Sequence, residues 1–111
     1  MVNYSITKEI PMSALADLTI FPLDKGESVS SYVAEAVKVI KTSGLDYQMG
    51  PMGTCFEGDW DEVIRVAKES MDAMKNHSSR VYMVLKVDYR EGLDNRMKGK
   101  VDSLKKIMGA E

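Results

Sequence analysis

The chain has 111 residues, 44% of them hydrophobic and 29% charged, which specifies one folded domain and excludes a disordered chain. A net charge of −2 argues against a nucleic-acid partner, which needs a basic footprint, and no apolar run is long enough for a membrane-spanning helix. The single cysteine cannot close an intramolecular disulfide and the N-terminus shows no signal-peptide pattern, so a cytoplasmic protein is expected.

Residues 1–11 mix polar and apolar side chains without a clean period and are expected to form an N-terminal extension to a domain spanning 12–111. From Ala14 to Phe21 the pattern alternates, with Ala16, Leu18 and Ile20 on one side and Asp17, Thr19 and Phe21 on the other. Period two predicts a strand with one face on the core, ended by Pro22. Ser28 or Ser30 is expected to cap a helix whose stripe is Val29, Val33, Ala36, Val37 and Ile40, closed by Gly44.

Leu45–Met49 and Thr54–Glu57 read as two strands joined by the turn Gly50-Pro51-Met52-Gly53. Asp59 and Glu62 suggest a capping box for a second helix, with Trp60, Val63, Ile64, Ala67, Met71 and Met74 as its buried face. Val81–Asp88 alternates clearly and predicts a strand. A last helix follows Gly92, with Met97, Val101, Leu104 and Met108 spaced by four, three and four. The order is that of an α+β ferredoxin-like βαββαβ sandwich with an additional C-terminal helix. The helices are expected to cover one sheet face. The other face, with Asp17, Thr19, Phe21, Cys55, Glu57, Tyr82, Val84 and Lys86, is mixed enough to suggest cover by another subunit.

Catalytic signatures are absent from the pattern. His77 stands alone near the end of the second helix, where a structural role is expected, and one histidine supplies no metal site. Cys55 has no cationic neighbour in sequence and reads as a packing residue. Nine methionines read as flexible core fillers. No nucleophile–base pair, metal cluster or phosphate loop appears, so neither catalysis nor a cofactor is expected.

Leu18-Thr19-Ile20-Phe21-Pro22-Leu23, Ser30-Ser31-Tyr32-Val33, Tyr47, Pro51-Met52-Gly53-Thr54, Glu57-Gly58, Trp60-Asp61-Glu62-Val63 and Lys86-Val87-Asp88-Tyr89-Arg90 stand in one order along the chain. In that combination the sequence resembles the small thiamine-binding, YkoF-like family, from about Leu15 to Leu104. The resemblance implies a homo-oligomer, commonly a dimer of dimers. It also implies non-catalytic binding of thiamine or its hydroxymethylpyrimidine part, as a carrier or sensor. The expected ligand site comprises Thr19, Ser30, Tyr47, Gly53, Thr54 and Glu57. Tyr47 would stack on the pyrimidine and Glu57 would accept from its amino group. Ser30 and Thr54 would supply hydroxyls, and Gly53 would let the backbone come close. A regulatory module that binds amino acids shares the same order of elements and is the alternative.

Because residues 1–11 lie outside both the periodic pattern and the resemblance, a chain beginning at Met12 is expected to keep the cooperative thermal melt of the full chain. A large loss of stability in that truncated chain would make the extension an integral element.

Overall fold

The computed structural model describes residues 12–92 and 96–109, so the expected extension over 1–11 lies outside the described residues. Along the chain it forms β1 (Met12–Pro22), α1 (Ser30–Thr42), β2 (Asp46–Met49), β3 (Thr54–Gly58), α2 (Trp60–Lys75), β4 (Val81–Glu91) and α3 (Arg96–Met108). The sheet order is β2-β3-β1-β4, and every neighbouring pair is antiparallel. This is the ferredoxin-like α+β arrangement with a C-terminal helix added.

The alternation of β1 creates the layers. Ala14, Ala16, Leu18 and Ile20 are buried on one face. Ala36 and Ile40 of α1, Phe56 of β3, and Val63, Val66 and Met74 of α2 pack with them. Small alanines at positions 14 and 16 leave room for Phe56, which is opposite Ala16 in register and fully buried. Removing such a ring from water contributes roughly 1.5–3 kcal/mol. From β4, Val81, Met83, Leu85 and Val87 close the same layer, while Tyr82, Val84 and Lys86 are exposed. Pro22 serves as the last residue of β1, opposite Val81, and chain pairing continues only through Leu23 N–H to Arg80 carbonyl at 2.9 Å.

Helix ends depart from the expected chemistry. Val29, rather than Ser28 or Ser30, is the N-cap of α1; it makes no side-chain cap bond, and its carbonyl accepts from the amides of Tyr32 and Val33. Asp59 is the N-cap of α2 but makes no side-chain cap bond, so the capping box with Glu62 does not form. Asp61 and Glu62 still place negative charge in the first turn, where the helix dipole favours it. Gly44 follows α1 at φ 84°, a left-handed position that needs no Cβ.

The buried face of α2 is also rotated from expectation. Val63, Val66, Ala67, Ser70 and Met74 are buried, whereas Trp60 and Ile64 are exposed. Ser70 is tolerated there because its hydroxyl donates to the Val66 carbonyl at 2.9 Å. Trp60 instead meets Tyr89 edge-on, with ring centroids 6.4 Å apart. Nor do all helices share one side of the sheet. The chain leaves β4 and places the start of α3 on the face opposite α1 and α2, over Glu57 and Asp88.

Asp24 ties the loop after β1 to the loop before β4. Its carboxylate accepts from Ser78 Oγ at 2.5 Å and from the amide and hydroxyl of Ser79 at 3.1 and 3.0 Å. Chiefly through the Ser78 hydroxyl, these bonds lower its pKa from the usual 3.8 to about 2. A carboxyl depressed by folding stabilises the native state fully above its unfolded pKa and loses that contribution as pH falls through its folded value. The stability difference between wild type and Asp24→Ala is therefore expected to be constant above pH 4 and to shrink steadily between pH 3.8 and about 2, as read by urea unfolding at each pH.

Candidate functional site

The face of the sheet away from α1 and α2 is divided in two. At the end where β1 finishes, Asp17, Thr19 and Phe21 stand opposite Lys86, Val84 and Tyr82 of β4, and Asp17 is also opposite Cys55 of β3. Period two in three neighbouring strands brings these side chains to one surface. Phe21 and Tyr82 stack with centroids 5.5 Å apart and planes 30° from parallel. Asp17 lies between a cation and a thiol: its Oδ2 is 3.5 Å from Lys86 Nζ, and its Oδ1 is 3.8 Å from Cys55 Sγ. Burial, followed by the negative charge of Asp17, pushes the Cys55 thiol pKa up. The thiol therefore stays protonated as a weak donor to Asp17, the opposite of what a nucleophilic cysteine needs.

The β2–β3 turn closes over this cluster. Gly50 N–H donates to the Gly53 carbonyl at 2.9 Å, and Thr19 Oγ1 donates to the Met52 carbonyl at 2.8 Å. Gly53 is packed so closely that a side chain there would require its neighbours to shift. A Cβ there would stand 2.8 Å from Asp17 Oδ1, 2.9 Å from Thr19 Oγ1 and 3.2 Å from the Leu18 carbonyl. The result is a surface patch on which a half-buried carboxylate and hydroxyl lie against the turn, with an exposed ammonium beside them and the Phe21–Tyr82 pair on the same face.

At the other end, α3 covers the sheet. Arg96, only 7% exposed, donates from its backbone amide to Glu57 Oε2 at 2.9 Å. Its guanidinium reaches the Asp88 carbonyl at 2.8 Å and pairs with the Asp88 carboxylate. The Asp88 carboxyl is held below its usual pKa, first by a hydrogen bond from Lys100 and also by the charge of Arg96. One buried arginine thus fastens the helix to β3 and β4, and the Glu57 carboxylate satisfies an amide in the first turn of α3.

Of the residues expected to form the site, the structure brings Thr19 and Gly53 together. Glu57 shares their sheet face, but it is 8% exposed and engaged with Arg96. Thr54 is 4% exposed and opposite Leu18, on the face under the helices. Tyr47 is opposite Phe56 on the edge strand β2, and Ser30 is exposed at the first position of α1. Asp17, Cys55 and Lys86 stand on this open face, as expected, and lie outside the expected ligand set. Their period-two positions were the available signal; their convergence beneath Gly53 depends on strand register. His77, expected near the end of α2, places its Nε2 2.7 Å from Glu35 Oε2 and its ring edge-on to Tyr32, which ties α2 to α1. Among the described residues, no group of three or more His, Cys, Asp or Glu side chains could hold a metal ion. Nor is any described helix long and apolar enough to cross a membrane.

The chain is thus a ferredoxin-like domain with a polar and aromatic patch on its open sheet face. The sequence profile of the family described as "Thiamine-binding protein" matches residues 16–105. A UPF0045 protein of Methanocaldococcus jannaschii is 38% identical over 90 residues, covering 81% of this chain and 90% of the relative. A crystal structure of a hypothetical protein from the same organism superposes with a TM-score of 0.77 at 37% identity, covering 83% of this chain and 95% of that one. A Thermotoga maritima structure, described provisionally as a thiamine biosynthesis or salvage protein, shares the fold with a TM-score of 0.68 at 22% identity, over 78% and 94% of the two chains. The chain belongs to the thiamine-binding protein family.

Gly53→Ala is expected to force Asp17 and Thr19 away from the turn and to release the Thr19–Met52 bond. The cost should be on the order of 1–3 kcal/mol in urea unfolding, as for other overpacked sites. Unchanged stability would mean that the turn packs differently.

Proposed function

We propose that this protein binds thiamine, or its hydroxymethylpyrimidine moiety, without transforming it, and serves as a cytoplasmic carrier or sensor. The observation that carries this reading is the placement of the Asp17 carboxylate beside the glycine-opened turn, on the same face as the Phe21–Tyr82 stack. An aminopyrimidine is flat and carries an amino group, so it suits an aromatic rim and a carboxylate acceptor. The thiazolium is cationic and suits acidic or aromatic surroundings. Thr19 and Gly53 remain in the proposed site as hydroxyl and backbone opening. Asp17 takes the acceptor role, since Glu57 already bonds the Arg96 amide. Thr54, Tyr47 and Ser30 would join only through a neighbouring subunit or a rearrangement of the β2 edge. Family membership supports the ligand class.

The working unit is proposed to be a homo-oligomer, a dimer of dimers, of the domain spanning 12–111. Phe21, Tyr82 and Val84 form part of an open face in a small domain, and association would bury them.

Thiamine or the free pyrimidine is expected to raise the melting temperature of the wild-type protein, because a ligand of the native state stabilises it by mass action. In calorimetry Asp17→Asn should weaken binding roughly tenfold or more, since it removes a charge-assisted bond and leaves Lys86 unpaired near a cationic ligand. Shifts with amino acids alone would favour a regulatory amino-acid module, and undiminished binding by Asp17→Asn would remove that carboxylate from the site.

A further inference from the structure

Beside the acceptor carboxylate stands a charge that a cationic ligand does not explain. Lys86 Nζ is 3.5 Å from Asp17 Oδ2, and the lysine side chain is 74% exposed. That separation is beyond an ordinary hydrogen bond, so Oδ2 keeps room for a second donor and the ammonium is held loosely. Thiamine would bring its thiazolium close to this ammonium, because the thiazolium hangs from the ring carbon next to the one that bears the amino group. Two cations would then share one carboxylate, an arrangement that costs affinity.

The surroundings of Lys86 are open to an anion. Asp88, the next residue of β4 on the same side of the sheet, already carries two cations, Arg96 and Lys100, the second at 3.2 Å. Glu57 accepts from the Arg96 amide. In the other direction the next rungs are uncharged, Thr19 opposite Val84 and then Phe21 opposite Tyr82. Val84 is 39% exposed and Tyr82 50%. One rung is two residues of strand, roughly 7 Å, which suits a single six-membered ring.

We propose that the preferred ligand of this site is the phosphate ester of the hydroxymethylpyrimidine, with its amino group on Asp17 and its phosphate on Lys86. Given the reading above that an aminopyrimidine binds here, Lys86 selects among its forms. In that molecule the amino group and the hydroxymethyl group sit on adjacent ring carbons. A donor for the carboxylate and an anion for the ammonium therefore stand side by side, as Asp17 and Lys86 do. The methyl-bearing carbon lies across the ring from the phosphoester arm and points along Val84 toward the Phe21–Tyr82 pair. A phosphate monoester is close to a dianion at neutral pH and accepts through any of its three terminal oxygens, so a flexible lysine holds it without a fixed geometry. The free alcohol gives Lys86 no anion, and thiamine gives it a cation. The same two residues thus place the ester ahead of both.

Calorimetry at low ionic strength tests this with three ligands: the hydroxymethylpyrimidine, its phosphate ester and thiamine. The ester should bind about fivefold or more tighter than either of the others, a modest factor because the lysine is exposed. Lys86→Met should bring the ratio of ester to alcohol affinity to within about twofold of one, whereas Lys86→Arg should retain the preference. The ratio is read within one variant, so partial loss of folding would not mimic its collapse. Equal binding of ester and alcohol, tighter binding of thiamine than of the ester, or a preference that survives Lys86→Met would overturn the proposal and leave an aminopyrimidine site in place. If none of the three ligands binds, the site reading itself fails and the proposal falls with it.

Discussion

Everything in this structure hangs on the two-sided pairing of β1. It is paired along its length with β4 on one side and with β3 on the other, and its side chains alternate without interruption. Its even-numbered residues make the floor of the core beneath α1 and α2. Its odd-numbered residues make the opposite surface, from Ser13 beneath α3 to Phe21 beside Tyr82. A slip of one residue would exchange the two sets, placing Asp17 in the core and Leu18 in the open patch, so the register is strongly held.

The second face is not uniform, and the difference between its ends comes from one side chain. Arg96 is buried and its guanidinium donates to the Ser13 and Asp88 carbonyls and the Asp88 carboxylate. Burying a guanidinium is costly unless its donors are met, so the geometry here has to be specific. The consequence for function is spatial. The arginine seals the half of the face that holds Glu57 and leaves partly open the half that holds Asp17, Thr19 and Gly53. A carboxylate that looks available in sequence becomes a helix anchor, while Asp17 on the neighbouring strand stays outside that seal.

That contrast shows where local sequence rules are reliable and where they stop. Elements and their order are legible because β1 and β4 alternate over many residues and because Gly44 and the Gly50–Gly53 turn punctuate the chain. Caps are less legible. Ser30 and Asp59 are standard cap residues, yet neither side chain makes a cap bond, since backbone groups and packing satisfy the helix starts instead. The buried face of α2 is offset for a similar reason. Trp60 and Ile64 fit the helical stripe, but the helix turns Val63, Val66 and Ala67 to the core instead.

By itself the sequence determined the ferredoxin-like order of elements, the core face of β1 and β4, and membership of a family known by its ligand, because these depend on periodicity and on residues close along the chain. Only the tertiary structure decided which polar groups meet. The convergence of Asp17, Lys86, Cys55 and Gly53 needs three strands in register, and the diversion of Glu57 to Arg96 joins residues 39 positions apart. The side of the sheet taken by α3 depends on those contacts as well. The spacing of Met97, Val101, Leu104 and Met108 specifies a helix with an apolar stripe, but nothing in that spacing says which surface the stripe will find.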